Sequence, residues 1–183
     1  RPEGFLNSLG GKRVEVTVLF SDLRDFTANS EMTDEREIVA QLNEYLKAMV
    51  DCVFDNGGMI DKFIGDAVMA VWGTVHSDGE DRDALGAVRA ALAMRTRLKQ
   101  LNEKWSIEGR RTYRFGIGIN QGPAVFGNIG SLEKMELTVI GDAVNLASRL
   151  EGLTKKFGVD LLVSGRVAEK LRGNVLLRPV HEV

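Results

Sequence analysis

The sequence has one cysteine, three prolines and two histidines in 183 residues. A lone Cys52 excludes an internal disulfide and fits a reducing compartment such as the cytoplasm. It falls inside a helical pattern, as a buried structural thiol does. His76 and His181 lie in polar, loop-like or terminal surroundings, which argues against histidine as metal ligand or acid–base catalyst. No apolar run approaches the roughly 20 residues of a membrane span. A formal net charge of −2 gives no basic surface for nucleic acid or anionic lipid. No signal peptide is present, and the chain starts at Arg1 without a methionine. It is therefore expected to be part of a longer protein, with an upstream sensor domain outside this sequence. The GxxxxGK[ST] string of P-loop NTPases and the GGDEF string of diguanylate cyclases are both absent.

What is present is an ordinary globular composition, 44% hydrophobic and 27% charged, in a chain long enough for one sizeable core. Residues 1–12 are Gly-rich and read as a linker or frayed end, with the domain at 13–183. Val14–Asp22 alternates, so Val14, Val16, Val18, Phe20 and Asp22 share one strand face. Apolar steps of three and four predict helices over Asp34–Phe54 and Ala84–Trp105. Met59–Ile64 and Ala67–Trp72, separated by Gly65-Asp66, predict a tight hairpin. Arg114–Asn120 and Ala124–Gly130 read as two strands joined at Gln121-Gly122-Pro123. A strand follows at Glu136–Ile140, then a helix at Ala143–Phe157 capped by Asp142. A short strand at 160–164, a helix at 166–172 and a strand-like end at 174–180 complete an α+β chain.

Asp22 ends a buried-looking strand, and Asp66 sits at a hairpin tip between two apolar runs. An ionised carboxylate in such a place is costly unless it is paired or metal-bound. Two aspartates at neighbouring strand ends, with no Cys or His nearby, form the all-oxygen donor set that Mg²⁺ or Mn²⁺ prefers. The loop after Asp22 can offer backbone N–H groups to a polyphosphate. Asn145 and Arg149 are four apart and share a helix face. The string IGDAV occurs twice, in KFIGDAVMA (62–70) and TVIGDAVNL (138–146), once at a hairpin and once at a strand-to-helix junction.

Four segments in order resemble the class III nucleotidyl cyclases: FSDLRDFT (20–27), NGGMIDKFIGDAVMAVWG (56–73), GIGINQGPAVFGNIG (116–130) and TVIGDAVNLASRLE (138–151). The resemblance implies a ferredoxin-like palm core, βαββαβ, with added strands and helices. It implies two divalent cations, Mg²⁺ or Mn²⁺, held by Asp22, Asp66 and the Leu23 carbonyl. It assigns Leu23, Arg24, Asp25, Phe26 and Thr27 to a phosphate loop. Lys62 and Thr138 are implied to read the purine, Asn145 to orient the ribose and Arg149 to contact the reacting phosphate. It also implies a homodimer whose two active sites lie between the subunits. Two departures stand out. The family's usual glycine in the first motif is Asp25 here, and the lysine of a later V-K-G strand, which binds the triphosphate, is not in this sequence.

A lysine carries only donors. It suits adenine, whose N1 accepts and whose 6-amino group donates, and a guanylate cyclase would be expected to carry an acid at position 62. ATP is therefore the expected substrate and cyclic AMP with pyrophosphate the products, in intracellular signalling. The alternatives are a guanylate cyclase and a non-catalytic dimerising module.

Overall fold

The computed structural model describes residues 10–31, 33–171 and 173–180. His181 and most of the N-terminal linker lie outside the described residues. Strand β1 runs over Lys12–Leu23, starting just inside the segment read as linker. It is followed by a one-turn helix α1 (Phe26–Ser30) and the long α2 (Glu35–Asp55). Then come the hairpin β2 (Met59–Ile64) and β3 (Ala67–Trp72), helix α3 (Glu80–Ile107), strands β4 (Phe115–Gly130) and β5 (Met135–Ile140), helix α4 (Asp142–Phe157), β6 (Leu161–Val163) and α5 (Gly165–Leu171).

The strands form one sheet in the order β2-β3-β1-β4-β5, with β6 pairing in parallel beside the first half of β4. The part β2-β3-β1-β4 is antiparallel throughout and, with α2 and α3 as its crossovers, is the ferredoxin-like arrangement that the resemblance implies. Alternation along β1 assigns its two faces. Leu19 and Leu23 join the main core with Tyr45, Met49, Val53, Met94 and Trp105 from α2 and α3. Val14, Val16 and Val18, with Phe20 packed against them, enter a smaller core on the opposite face, with Met69, Val71, Val139 and Ala147.

Three expectations change. The two strands predicted over 114–130 are one continuous 16-residue strand. Its first part pairs β6 and its last part pairs β5, while β1 runs along residues 115–126. Pro123 lies between the β5- and β6-paired stretches, where β4 is laddered on one side only, a position that tolerates a missing N–H. Helix α3 begins before the Ala84 start predicted for it, because Glu80, Asp81 and Asp83 form its first turn, where acids suit the helix dipole. Residues 176–180 form no strand: Leu176 is fully exposed, and Pro179 removes a donor.

Helix α4 lies directly on β4, and the sequence GIGIN is the reason. Ile117 and Ile119 point into the main core, so Gly116 and Gly118 face α4. A Cβ on Gly118 would sit 2.2 Å from the Glu151 nitrogen and 2.4 Å from the Ala147 carbonyl oxygen. Only glycine lets the helix backbone approach this closely.

Candidate active site

Asp22 is on the α4 side of β1, one residue before its end, and Asp66 is at the β2–β3 turn, beside Gly65 with φ +60°. The register of β1 on β3 carries the turn to the end of β1, where the Leu23 N–H donates to Asp66 Oδ2 at 3.0 Å. The Asp22 and Asp66 carboxyls face each other, close enough for a proton to be shared between them. Desolvation, that sharing and the charges of Asp66 and Glu151 push Asp22 up to about 7. Two acids crowded together without a cation behave in this way. The pair therefore fits a divalent cation on its own electrostatics, and its oxygen donors suit Mg²⁺ or Mn²⁺. Among the described residues no cluster of three or more His, Cys, Asp or Glu is arranged to hold a metal, and Asp22 and Asp66 are the paired carboxylates on offer there.

Beneath the pair, the buried Tyr45 and Ser21 hydroxyls face each other. Burial holds the Tyr45 phenol above its ordinary range. Burial likewise raises Glu151 on the inner face of α4 and the Cys52 thiol, which is buried as predicted. His76 is exposed in a loop, 3.0 Å from Asp78 and remote in the fold from the carboxylates.

The segment after Asp22 turns sharply. Asp25 has φ +61°, the left-handed region that favours glycine, and its side chain makes no capping bond. Phe26 anchors the turn by packing its ring at a tilt against Tyr113, with centroids 5.6 Å apart, and Tyr113 meets Trp105 edge-on. Thr27 and Asp25 are exposed. Arg24 does not extend its guanidinium along this segment. It donates to the Val159 carbonyl at 2.6 Å, so what it offers the turn is backbone.

Lys62 and Thr138 lie on strands at opposite edges of the sheet, four places apart in its order, yet they occupy one neighbourhood. The sheet curls enough for Lys62 Nζ to reach Glu136 Oε2 on β5 at 3.0 Å. Thr138 Oγ1 donates toward both oxygens of Asp61, at 2.8 and 3.0 Å, and Asp61 lies 3.8 Å from Lys62 Nζ. The Asp61 carboxyl is buried, which raises it, while Thr138 and Lys62 pull it back. Asp61 was not singled out in the sequence, because strict alternation turns it away from Lys62. A β-bulge falls between Ile60 and Lys62 and leaves Asp61 without a partner on β3. Such a bulge re-aims side chains, so neighbours can address one site.

Asn145 and Arg149 do not join the carboxylate pair within this chain. Both are exposed on α4 and make no side-chain hydrogen bond or ion pair among the described residues, whereas Glu151 and Lys155 on the same helix are the groups that Asp22 feels. Asp142 is not the N-cap that the sequence suggested. Gly141, with φ +147°, holds that place, and Asp142 is the first helical residue, acting through the helix dipole.

The sequence profile of the family described as "Adenylate and Guanylate cyclase catalytic domain" matches residues 11–180. The chain belongs to this family. It is 40% identical over 168 residues to adenylate cyclase 1 of Rhizobium meliloti (strain 1021), covering 92% of this chain and 25% of that protein. It is 39% identical over 160 residues to the adenylate cyclase of Anabaena cylindrica, covering 85% of this chain and 30% of that one. The chain thus spans about a quarter to a third of these relatives. Among solved structures, the adenylyl cyclase CyaB from P. aeruginosa superposes with a TM-score of 0.84 at 36% identity, over 90% of this chain and 83% of that one. A guanylyl cyclase superposes with a TM-score of 0.80 at 37% identity, over 88% and 80%. Similarity of this degree to both kinds leaves the choice of purine to individual side chains.

Proposed function

We propose that the domain is an adenylate cyclase that converts ATP to 3′,5′-cyclic AMP and pyrophosphate. The observation that carries the choice of ATP is the meeting of Lys62, a donor, with Thr138, whose hydroxyl proton is directed to Asp61. A donor beside an acceptor complements N1 and the 6-amino group of adenine and opposes O6 and N1–H of guanine. Mispaired polar groups in such a site are a strong source of rejection.

The chain's own residues divide the remaining work. Asp22 and Asp66, with the Leu23 carbonyl, hold the divalent cations. When bound, those ions lower the pKa of the ribose 3′-hydroxyl and offset charge on the triphosphate. The turn at 24–27 offers backbone N–H groups to the phosphates. Asn145 holds the ribose so that its 3′-oxygen is in line with the α-phosphorus, an effect of proximity. Arg149 offers a planar fork of donors to the α-phosphate oxygens as charge develops there.

Among the described residues Asn145 and Arg149 make no side-chain hydrogen bond or ion pair, and they lie on the face of α4 away from Asp22, which supports a homodimer in which each site takes its carboxylates from one subunit and this helix face from the other. Phe63 and Ile64 on β2, and Leu137 and Ile140 on β5, are exposed apolar residues on the two strands that meet at Lys62 and Glu136. Apolar surface of this kind suits a partner subunit. A cyclase assay with ATP and GTP side by side, across protein concentration and with Mn²⁺, tests both parts. ATP turnover is expected to exceed GTP turnover, and specific activity to fall on dilution. Equal or higher GTP turnover would sink the purine assignment.

A further inference from the structure

We infer that Asp61 is a positioning residue that sets purine choice by fixing the direction of the Thr138 hydroxyl. The inference rests on the reading of Lys62 and Thr138 as the base-contacting pair. A threonine hydroxyl is ambiguous: its single proton can turn toward a ligand and donate, or turn away and leave only lone pairs. With nothing to hold it, Thr138 could accept from the 6-amino group of adenine or donate to O6 of guanine, and the site would read position 6 poorly.

The structure removes that ambiguity. Thr138 is 5% exposed, and both Asp61 oxygens lie within hydrogen-bond range of its Oγ1. The Asp61 side chain is 2% exposed. An ionised carboxylate only accepts, so the hydroxyl proton is committed to it. Toward the ligand Thr138 then presents lone pairs alone. The bulge at Asp61 supplies the backbone for this, since a regular strand would aim Asp61 and Lys62 to opposite faces. The same carboxylate lies 3.8 Å from Lys62 Nζ, so one buried acid faces both contacts, the donor at 62 and the acceptor at 138.

The test is Asp61→Asn, which keeps size and replaces an obligate acceptor with an amide. The amide NH₂ can donate to Thr138 Oγ1 and release the hydroxyl proton toward the ligand. The ratio of kcat/KM for ATP to that for GTP is expected to fall by roughly tenfold, the scale of one misdirected hydrogen bond. A general loss of activity on both nucleotides with the ratio unchanged would overturn the inference, since damage to the fold does not change purine preference. Thr138→Val supplies the control for the underlying reading. If it leaves ATP kinetics and preference untouched, Thr138 does not read the base. If it lowers preference while Asp61→Asn does not, only the role of Asp61 fails. In the double variant Asp61→Asn/Thr138→Val, the Asp61 effect on the ratio is expected to vanish. Should Asp61→Asn fail to fold, the wild-type protein decides the matter by NMR. A Thr138 hydroxyl proton bound to a buried carboxylate exchanges slowly and gives an observable resonance, and fast exchange with water would refute the arrangement.

Discussion

Asp22 is where local physics and the proposed function conflict most openly. Its carboxyl titrates near 7 because burial and Asp66 penalise its charge. The folded state therefore binds a proton that the unfolded chain releases near its ordinary value of 3.8. This contribution to stability is greatest at low pH and is lost as pH rises from about 4 through about 7. Metal-free protein is expected to melt at a lower temperature at pH 8 than at pH 6, and Asp22→Asn to flatten that slope while abolishing cyclase activity. Mn²⁺ should raise the melting temperature more at pH 8, where it need not displace the proton. A slope identical in wild type and variant would remove Asp22 from this account. Asp25 stores a different strain, a side chain at φ +61°. Asp25→Gly is expected to keep or raise the melting temperature, by up to about 1 kcal/mol of stability, because glycine occupies that region freely. A clear loss in thermal unfolding would show a contact of the aspartate that offsets its strain.

At the scale of elements, the contact of α4 with β4 positions the site, because it sets the helix carrying Glu151, Asn145 and Arg149 against the strand beside Asp22. Gly118→Ala forces a Cβ into the α4 backbone and is expected to cost about 1–3 kcal/mol in denaturant unfolding. Gly152→Ala, on the same helix with open space around it, is expected to stabilise the domain by roughly 0.5–1 kcal/mol. Equal effects would mean that close approach is not what these glycines provide. The helices read over 34–54 and 84–105 and the hairpin 59–72 were legible in the sequence because periodicity and a Gly-Asp turn are local signals, although the first turn of α3 was not. The single strand over 115–130 was not. Gly122 and Pro123 look like a turn, and only pairing to β1 across the whole stretch keeps the chain extended there.

For the whole molecule, the proposed dimer makes a prediction that no isolated chain can imitate. Asp22→Asn and Arg149→Ala should each be inactive alone, and mixing them should restore activity, because a heterodimer keeps one intact pair of contributions. Failure of the mixture, with both proteins dimeric by light scattering, would place all catalytic groups in one chain. The 40% identity to a bacterial adenylate cyclase over most of this chain agrees with the motif reading. Similar likeness to adenylyl and guanylyl cyclase structures shows that the fold serves either purine.

The sequence by itself determined the family and the ferredoxin-like α+β class, and it singled out the two aspartates and the residues three places before each glycine of the IGDAV echo. Those are matters of local pattern and of which chemical groups are present. Tertiary structure alone decided that Lys62 and Thr138, 76 positions apart in the chain and on opposite edges of the sheet, share one place. It also decided that Asp61, at a bulge, stands between them. The curl of a sheet and the register of an irregular strand arise from pairing and packing summed over many residues, and no short stretch of sequence carries that sum.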